Sequence, residues 1–301
     1  MKLALKIDVD TFRGTREGVP RLAEALRARR AGATFLFSLG PDHTGRAVRR
    51  VFRRGFVGKV ARTSVLEHYG LRTLLYGTLL PGPDIGRRCA GEMRAARDAG
   101  FEVGIHCWDH VRWQDGVAGA DASWTEAELE RASARFATVF GGAARLHGAA
   151  GWQTNVHALR FLDRRGFACA SDTRGDGPFR PRMAGEVFAC AQWPTTLPTL
   201  DELVGVDGGT PSDAVRDILA RTAARREPVH VFTAHAELEG AKLLPALQAL
   251  LDGWAAQGYV ICPLGELAAT RDARSLPVHD VVHGAVAGRS GTLALQGRAA
   301  R

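Results

Sequence analysis

Two histidines four apart, His106 and His110 in HCWDH, and two aspartates two apart, Asp8 and Asp10 in IDVD, are the residues here best suited to chemistry. One carboxylate with two imidazoles suits a divalent cation and leaves positions open for water and a substrate. The alternative is a hydrogen-bonded histidine pair beside an aspartate that caps a turn. Asp8 and Asp10 are expected to leave their extended segment on opposite faces, so that only one points straight at a metal and the other is free to act on bound water. Two acids in the otherwise apolar run LALKIDVD are costly to bury without a cation. His235 in VHVFTAH is a candidate for proton transfer, or else a buried histidine bonded to a carbonyl. Asp172 in ACASD either orients a protonated partner or caps the next turn. Trp152 in HGAAGW either walls a pocket or is ordinary packing. His279 and His283 in HDVVH share the four-residue spacing, but they follow Pro277 near the C-terminus and are read as a surface or core-edge pair.

These residues need a scaffold that gathers them, and the chain repeats one. PRLAEALRARRAG-ATFLFSL, EMRAARDAG-FEVGI, HALRFLDRRG-FACAS and ALLDGWAAQG-YVIC each read as a polar helix, a glycine and an apolar strand. Gly32, Gly100, Gly166 and Gly258 fall where a helix end needs a left-handed residue. A further helix is expected from Thr125, with Glu128 completing a capping box, to Gly141. Strands are expected at about 3–9, 33–39, 101–105, 145–149, 167–171, 187–192, 229–234 and 259–262. Apolar strands alternating with helices predict an α/β fold with a parallel sheet covered on both faces. Seven or eight such units suggest a closed or nearly closed βα barrel with its chemistry at the strands' carboxyl ends. One domain over 1–290 is expected, with an insertion at about 41–84 and a flexible tail at 291–301.

The 301 residues, 46% apolar and 24% charged, exclude disorder and fibrous repeats and supply one sizeable core. No apolar run reaches the roughly 18 residues that span a bilayer. MKLALKIDVD has no signal-peptide core, and five cysteines without a CxxC pair argue against a disulfide framework, so a cytoplasmic location is expected. Of the 40 basic residues 36 are arginine, a bias read as genomic composition rather than as a nucleic-acid footprint. The cluster from Arg46 to Arg62 is different: it has seven basic residues and no acid, with Val48, Val51, Phe52, Phe56 and Val60 at helical spacing. A basic amphipathic helix can lie among anionic headgroups. Arg49, Arg50, Arg53 and Arg54 are therefore expected to bind lipid phosphates, the alternative being a solvated arginine face. The cluster lacks the interleaved aromatics of a single-strand platform, so nucleic acid is not expected.

The strand-end series DVD, HCWDH, AAGW, SDTRG and FTAHAE resembles the motifs of the NodB-type polysaccharide deacetylases, metal-dependent amide hydrolases on a distorted (β/α)7 barrel. The longer stretches IDVDTFRGTREGVPRL, AAGWQTN, SDTRGDGPFRP, TLPTLDELVG, HAELEG and AGRSG resemble the 4-deoxy-4-formamido-L-arabinose-phosphoundecaprenol deformylases. The resemblance implies that Asp10, His106 and His110 hold one divalent ion (zinc, cobalt, manganese or iron), with Asp8 as base and His235 as acid. It implies that Asp172 supports the histidine or the substrate. The deacetylases carry an arginine in their third motif where this chain has AAGW, so Arg174 or Arg180 is the candidate substitute. Their first motif has adjacent aspartates, whereas Val9 separates the pair here. The implied reaction frees formate and an amine from a lipid-linked formamido sugar at the cytoplasmic face of the inner membrane, as part of lipid A modification and cationic-peptide resistance. The rivals are a deacetylase of another N-acylated sugar and a non-enzymatic binder of acidic lipid.

Overall fold

The alternation of one strand organises the molecule. In β1 (Lys2–Val9), Leu3, Leu5, Ile7 and Val9 enter the large apolar cluster that the helices cover. Ala4 points the other way, into a second cluster with Leu146, Cys169, Trp193, Val231 and Cys262. Successive side chains leave a strand on opposite faces, so Lys6, Asp8 and Asp10 follow Ala4 toward the barrel interior. The expected split of Asp8 and Asp10 onto opposite faces is thereby corrected, since residues two apart share a face. Both clusters are apolar, and the interior becomes polar toward the carboxyl end of β1.

The computed structural model describes residues 1–47, 72–224 and 229–299. β1 lies parallel to β2 (Thr34–Ser38), β8 (His230–His235) and β9 (Val260–Cys262), and the sheet continues from β2 through β3 (Glu102–Cys107), β4 (Leu146–His147) and β5 (Cys169–Ala170). The gap between β5 and β8 is closed by an irregular segment, not by the strand expected over 187–192. Trp193 donates its N–H to the Ala170 carbonyl at 2.7 Å, and Thr196 donates to Val231 at 3.0 Å. Pro194 and Pro198 have no N–H to give a ladder, which explains the irregularity. The outcome is a distorted parallel barrel.

Helix ends follow the glycine rule at Gly100 (φ 91°), Gly166 (φ 65°) and Gly258 (φ 83°). After the helix Val19–Ala28 the left-handed residue is Arg30 (φ 54°), not Gly32, whose added Cβ would lie 2.6 Å from Pro263. The helix Ala122–Phe140 begins before Thr125, because Asp121 caps it by accepting the Trp124 N–H at 2.8 Å.

A second sheet, of β6 (Arg180–Met183), β7 (Glu186–Val187), β10 (Val278–Gly284) and β11 (Leu293–Ala299), flanks the barrel in the order β11-β10-β6-β7. Its strand β11 occupies residues 293–299 of the stretch 291–301 expected to be a loose tail. Leu293 and Ala294 are buried, and the Arg174 N–H donates to the Ala294 carbonyl at 2.9 Å. His279 and His283 sit on β10, away from any metal-type cluster among the described residues. The insertion leaves and returns at one point, with Asp42 N–H on Pro83 O at 2.9 Å and Ile85 N–H on Gly40 O at 2.8 Å. Arg49, Arg50, Arg53 and Arg54 lie outside the described residues. All five cysteines are free and buried, and no helix among the described residues is long and apolar enough to cross a membrane.

Candidate active site

At the carboxyl rim of the barrel Asp10, His106 and His110 converge, each offering one ligand atom within 4.8 Å of the others. Each arrives by a different local device. Asp10 is the first residue past β1. His106 lies where the β2–β3 register slips between Ile105 and Cys107, and such a bulge re-aims a side chain. His110 opens the helix His110–Gly116, which Asp109 caps by accepting the Arg112 N–H at 3.1 Å. Asp109 is itself gripped by His43 Nδ1 at 2.6 Å.

Asp10 Oδ1 stands 3.2 Å from His106 Nε2, and Oδ2 stands 3.4 Å from His110 Nε2. Asp10 Oδ1 is nevertheless buried without a hydrogen bond. Ligand atoms converging on one point suit a shared cation, so the set fits a divalent metal. His106 Nδ1 donates to the Gly148 carbonyl at 2.6 Å, which fixes the tautomer and turns the bare Nε2 toward Asp10. Burial opposes charge on Asp10, yet His110, His106 and His235 hold its carboxyl well below the usual carboxylate range. Burial likewise opposes a charged His106, but Asp8 and Asp10 outweigh it and raise the imidazole above its ordinary value.

Asp8 sits one step deeper, 3% exposed, with Oδ1 3.9 Å from His106 Nδ1 and lacking a hydrogen bond. Its other oxygen is 3.4 Å from the ammonium of Lys6, which is wholly buried and donates to the Ser171 carbonyl at 3.1 Å. His235, at the end of β8, faces the edge of Trp152, with ring centroids 6.1 Å apart. Its Nδ1 is 3.8 Å from Asp201, whose carboxyl Arg289 and His235 hold low against the effect of burial. Trp152 adopts φ 50°, a strained value for a bulky residue, and Thr195 anchors its indole N–H at 3.0 Å.

Not every expected residue reaches this mouth. Asp172 is fully buried beneath it and accepts from His147 Nδ1 at 2.7 Å, so the histidine it supports is not His235. Arg174 is paired with Glu202, and its guanidinium lies 5.1 Å from the Trp152 ring centroid. Arg180 belongs to β6 in the second sheet, in register with Val278. The cation beside Asp8 is instead Lys6. Its signal was present in the sequence, since Lys6, Asp8 and Asp10 share the two-residue period of one strand face.

Two carboxylates of HAELEG also went unremarked. Glu237 Oε1 accepts from the Asp10 N–H (3.1 Å), the Thr11 N–H (2.9 Å) and the Thr11 hydroxyl (2.8 Å), pinning the turn that carries Asp10. Glu239 accepts the His235 N–H at 2.7 Å. Arg289, from AGRSG, ties the second sheet to the mouth through Asp201 and Glu202, at 2.9 and 2.8 Å.

No family model matches the chain. A protein of Shewanella sediminis, named 4-deoxy-4-formamido-L-arabinose-phosphoundecaprenol deformylase ArnD, is 34% identical over 295 residues, covering 98% of this chain and 94% of its own. A Wigglesworthia glossinidia brevipalpis protein of the same name is 29% identical over 284 residues, covering 94% and 98%. Among solved structures, a Mycobacterium smegmatis protein assigned to the polysaccharide deacetylases superposes with a TM-score of 0.63 at 16% identity, over 95% of this chain and 96% of that one. Near-complete coverage at that identity, on the deacetylase fold, places this chain in the ArnD deformylase family.

Proposed function

We propose that this protein hydrolyses the formamide of an undecaprenyl-phosphate-linked 4-deoxy-4-formamido-L-arabinose to the free 4-amino sugar lipid and formate, within lipid A modification and resistance to cationic peptides. The observation that carries the reading is the Asp10–His106–His110 cluster with Asp8 behind it and His235 beside it at one rim. A divalent ion held by those three ligands would polarise the formyl oxygen and make water a stronger acid. Asp8, an acceptor with an unpaired buried oxygen, takes the proton from water as it attacks the formyl carbon. His235 delivers a proton to the departing nitrogen, which is a poor leaving group until protonated. Trp152 packs edge-on with that imidazole, and the Asp201 carboxylate lies 3.8 Å from its Nδ1. Zinc, cobalt, manganese and iron all accept this donor set.

The substrate's lipid places the work at a membrane surface, and we assign the protein a peripheral place on the cytoplasmic face of the inner membrane. The basic stretch Arg49, Arg50, Arg53 and Arg54 supports this reading, at about 1 kcal/mol of attraction per basic residue near anionic lipid. The test is acid release from formamido- and acetamido-arabinose, each presented free and on polyprenyl phosphate in anionic vesicles. Formate from the vesicle-borne formamide, and little from the rest, is expected. Changing the four arginines to glutamate removes the vesicle preference. Asp10→Ala, His106→Ala and His110→Ala lose metal and turnover together. Asp8→Asn and His235→Ala keep metal and lose about 10²–10⁴-fold in kcat. Full formate release by metal-free His106→Ala ends the proposal, and equal cleavage of the free acetamido sugar favours a soluble deacetylase.

A further inference from the structure

Both carboxylate oxygens of Asp172 are engaged beneath the mouth. Its Oδ1 takes the His147 Nδ1–H at 2.7 Å and the Ala149 N–H at 2.9 Å, and Oδ2 takes the Gln192 amide at 3.1 Å. The residue is 0% exposed. Burial opposes its charge, but His147, Gln192 and Lys6 hold its carboxyl below the usual range, so it accepts from these donors as a carboxylate. Its two Oδ1 partners bracket a single residue, Gly148, at the end of β4. Gly148 presents its carbonyl to His106 Nδ1 at 2.6 Å. The chain is close-packed there, since a Cβ on Gly148 would meet Leu36 Cδ1 at 2.3 Å. The Gly148 peptide is thus held from both sides and from beneath, and its carbonyl direction decides which nitrogen of His106 faces Asp10.

We infer that Asp172 is a positioning residue for the metal ligand His106, acting through His147, Ala149 and the Gly148 carbonyl, and not a partner of the proton donor His235. The inference rests on the metal-site reading above, and the two fail in different ways. Outer partners of a metal-bound histidine are worth about 10–100-fold in metal affinity or activity, because they fix ring orientation and tautomer. A role at His235 or at the substrate would leave affinity alone and lower turnover.

The experiment titrates zinc and, separately, cobalt into chelator-stripped wild type and Asp172→Asn, then measures kcat at saturating metal. The expected result is a Kd raised about 10–100-fold, with the cobalt visible spectrum altered and kcat at saturation within about threefold of wild type. Should Asp172→Asn not fold, His147→Gln serves instead: it removes one of the two clamps and raises Kd by less. An unchanged Kd with a collapsed kcat overturns the inference. Failure of wild type to bind either metal overturns the metal-site reading itself.

Discussion

Glu239 accepts the backbone N–H of His235 with one oxygen, while its other oxygen is buried without a partner. Burial is the main cause that pushes its carboxyl from 4.5 up to about 7, against the lowering influence of His235. Below about pH 4.5 both the folded and the unfolded chain carry the protonated acid. From there to about pH 7 the unfolded chain releases a proton that the folded one keeps, so stability falls as pH rises. Glu239→Gln, neutral at every pH, removes that penalty. It is expected to stabilise the protein by about 2–3 kcal/mol at pH 8 and by little at pH 4.5, as read from urea unfolding at the two values. An equal effect at both would show that Glu239 stays ionised in the fold. At the same scale, His106 and His110 were legible because their spacing is local, whereas His147–Asp172 and Lys6–Ser171 join residues 25 and 165 apart in the chain.

The turn Gly14–Gly18 lies directly on the turn after β8, and glycine allows it. A Cβ on Gly18 would stand 2.1 Å from the Ala236 carbonyl oxygen, and one on Gly14 would stand 1.9 Å from Glu237 Oε1. That approach is what brings Glu237 onto the Asp10 and Thr11 N–H groups. Gly18→Ala meets backbone, which cannot swing aside as a side chain can. It is expected to cost about 1–3 kcal/mol by chemical denaturation and to weaken metal binding as the Asp10 turn shifts. Wild-type stability in that variant would show that the turn has slack. The helix-glycine-strand grammar was readable because a left-handed helix end has few residue choices. The failures at Gly32 and at Thr125 came from competing local solutions, a left-handed Arg30 and an Asp121 cap. The irregular closure at 190–196 follows from prolines whose consequence depends on which strands flank them.

Asp8, Asp10, Glu237, Glu239, His106 and Lys6 are all buried at one rim of the barrel. A ligand that binds only the folded state stabilises it by about 4 kcal/mol at a thousandfold over Kd. In a chain of this size that amounts to several degrees of Tm. Chelation is therefore expected to lower Tm, and metal to restore it in proportion to the logarithm of its concentration. A Tm indifferent to both would show that the cluster holds no metal. The second sheet belongs to the same unit, since Arg289 and Ala294 join it to the mouth, and residues that read as a loose tail are part of a wall. By itself the sequence determined the alternating parallel architecture and the placement of Asp8, Asp10, His106, His110 and His235 at or just past strand ends, because each depends on periodicity and near neighbours. Only the tertiary structure decided that Asp172 serves His147, that Lys6 reaches the Ser171 carbonyl, and that Arg174 pairs with Ala294 of β11. Those pairings join segments distant in sequence, where burial makes an unpaired polar group costly.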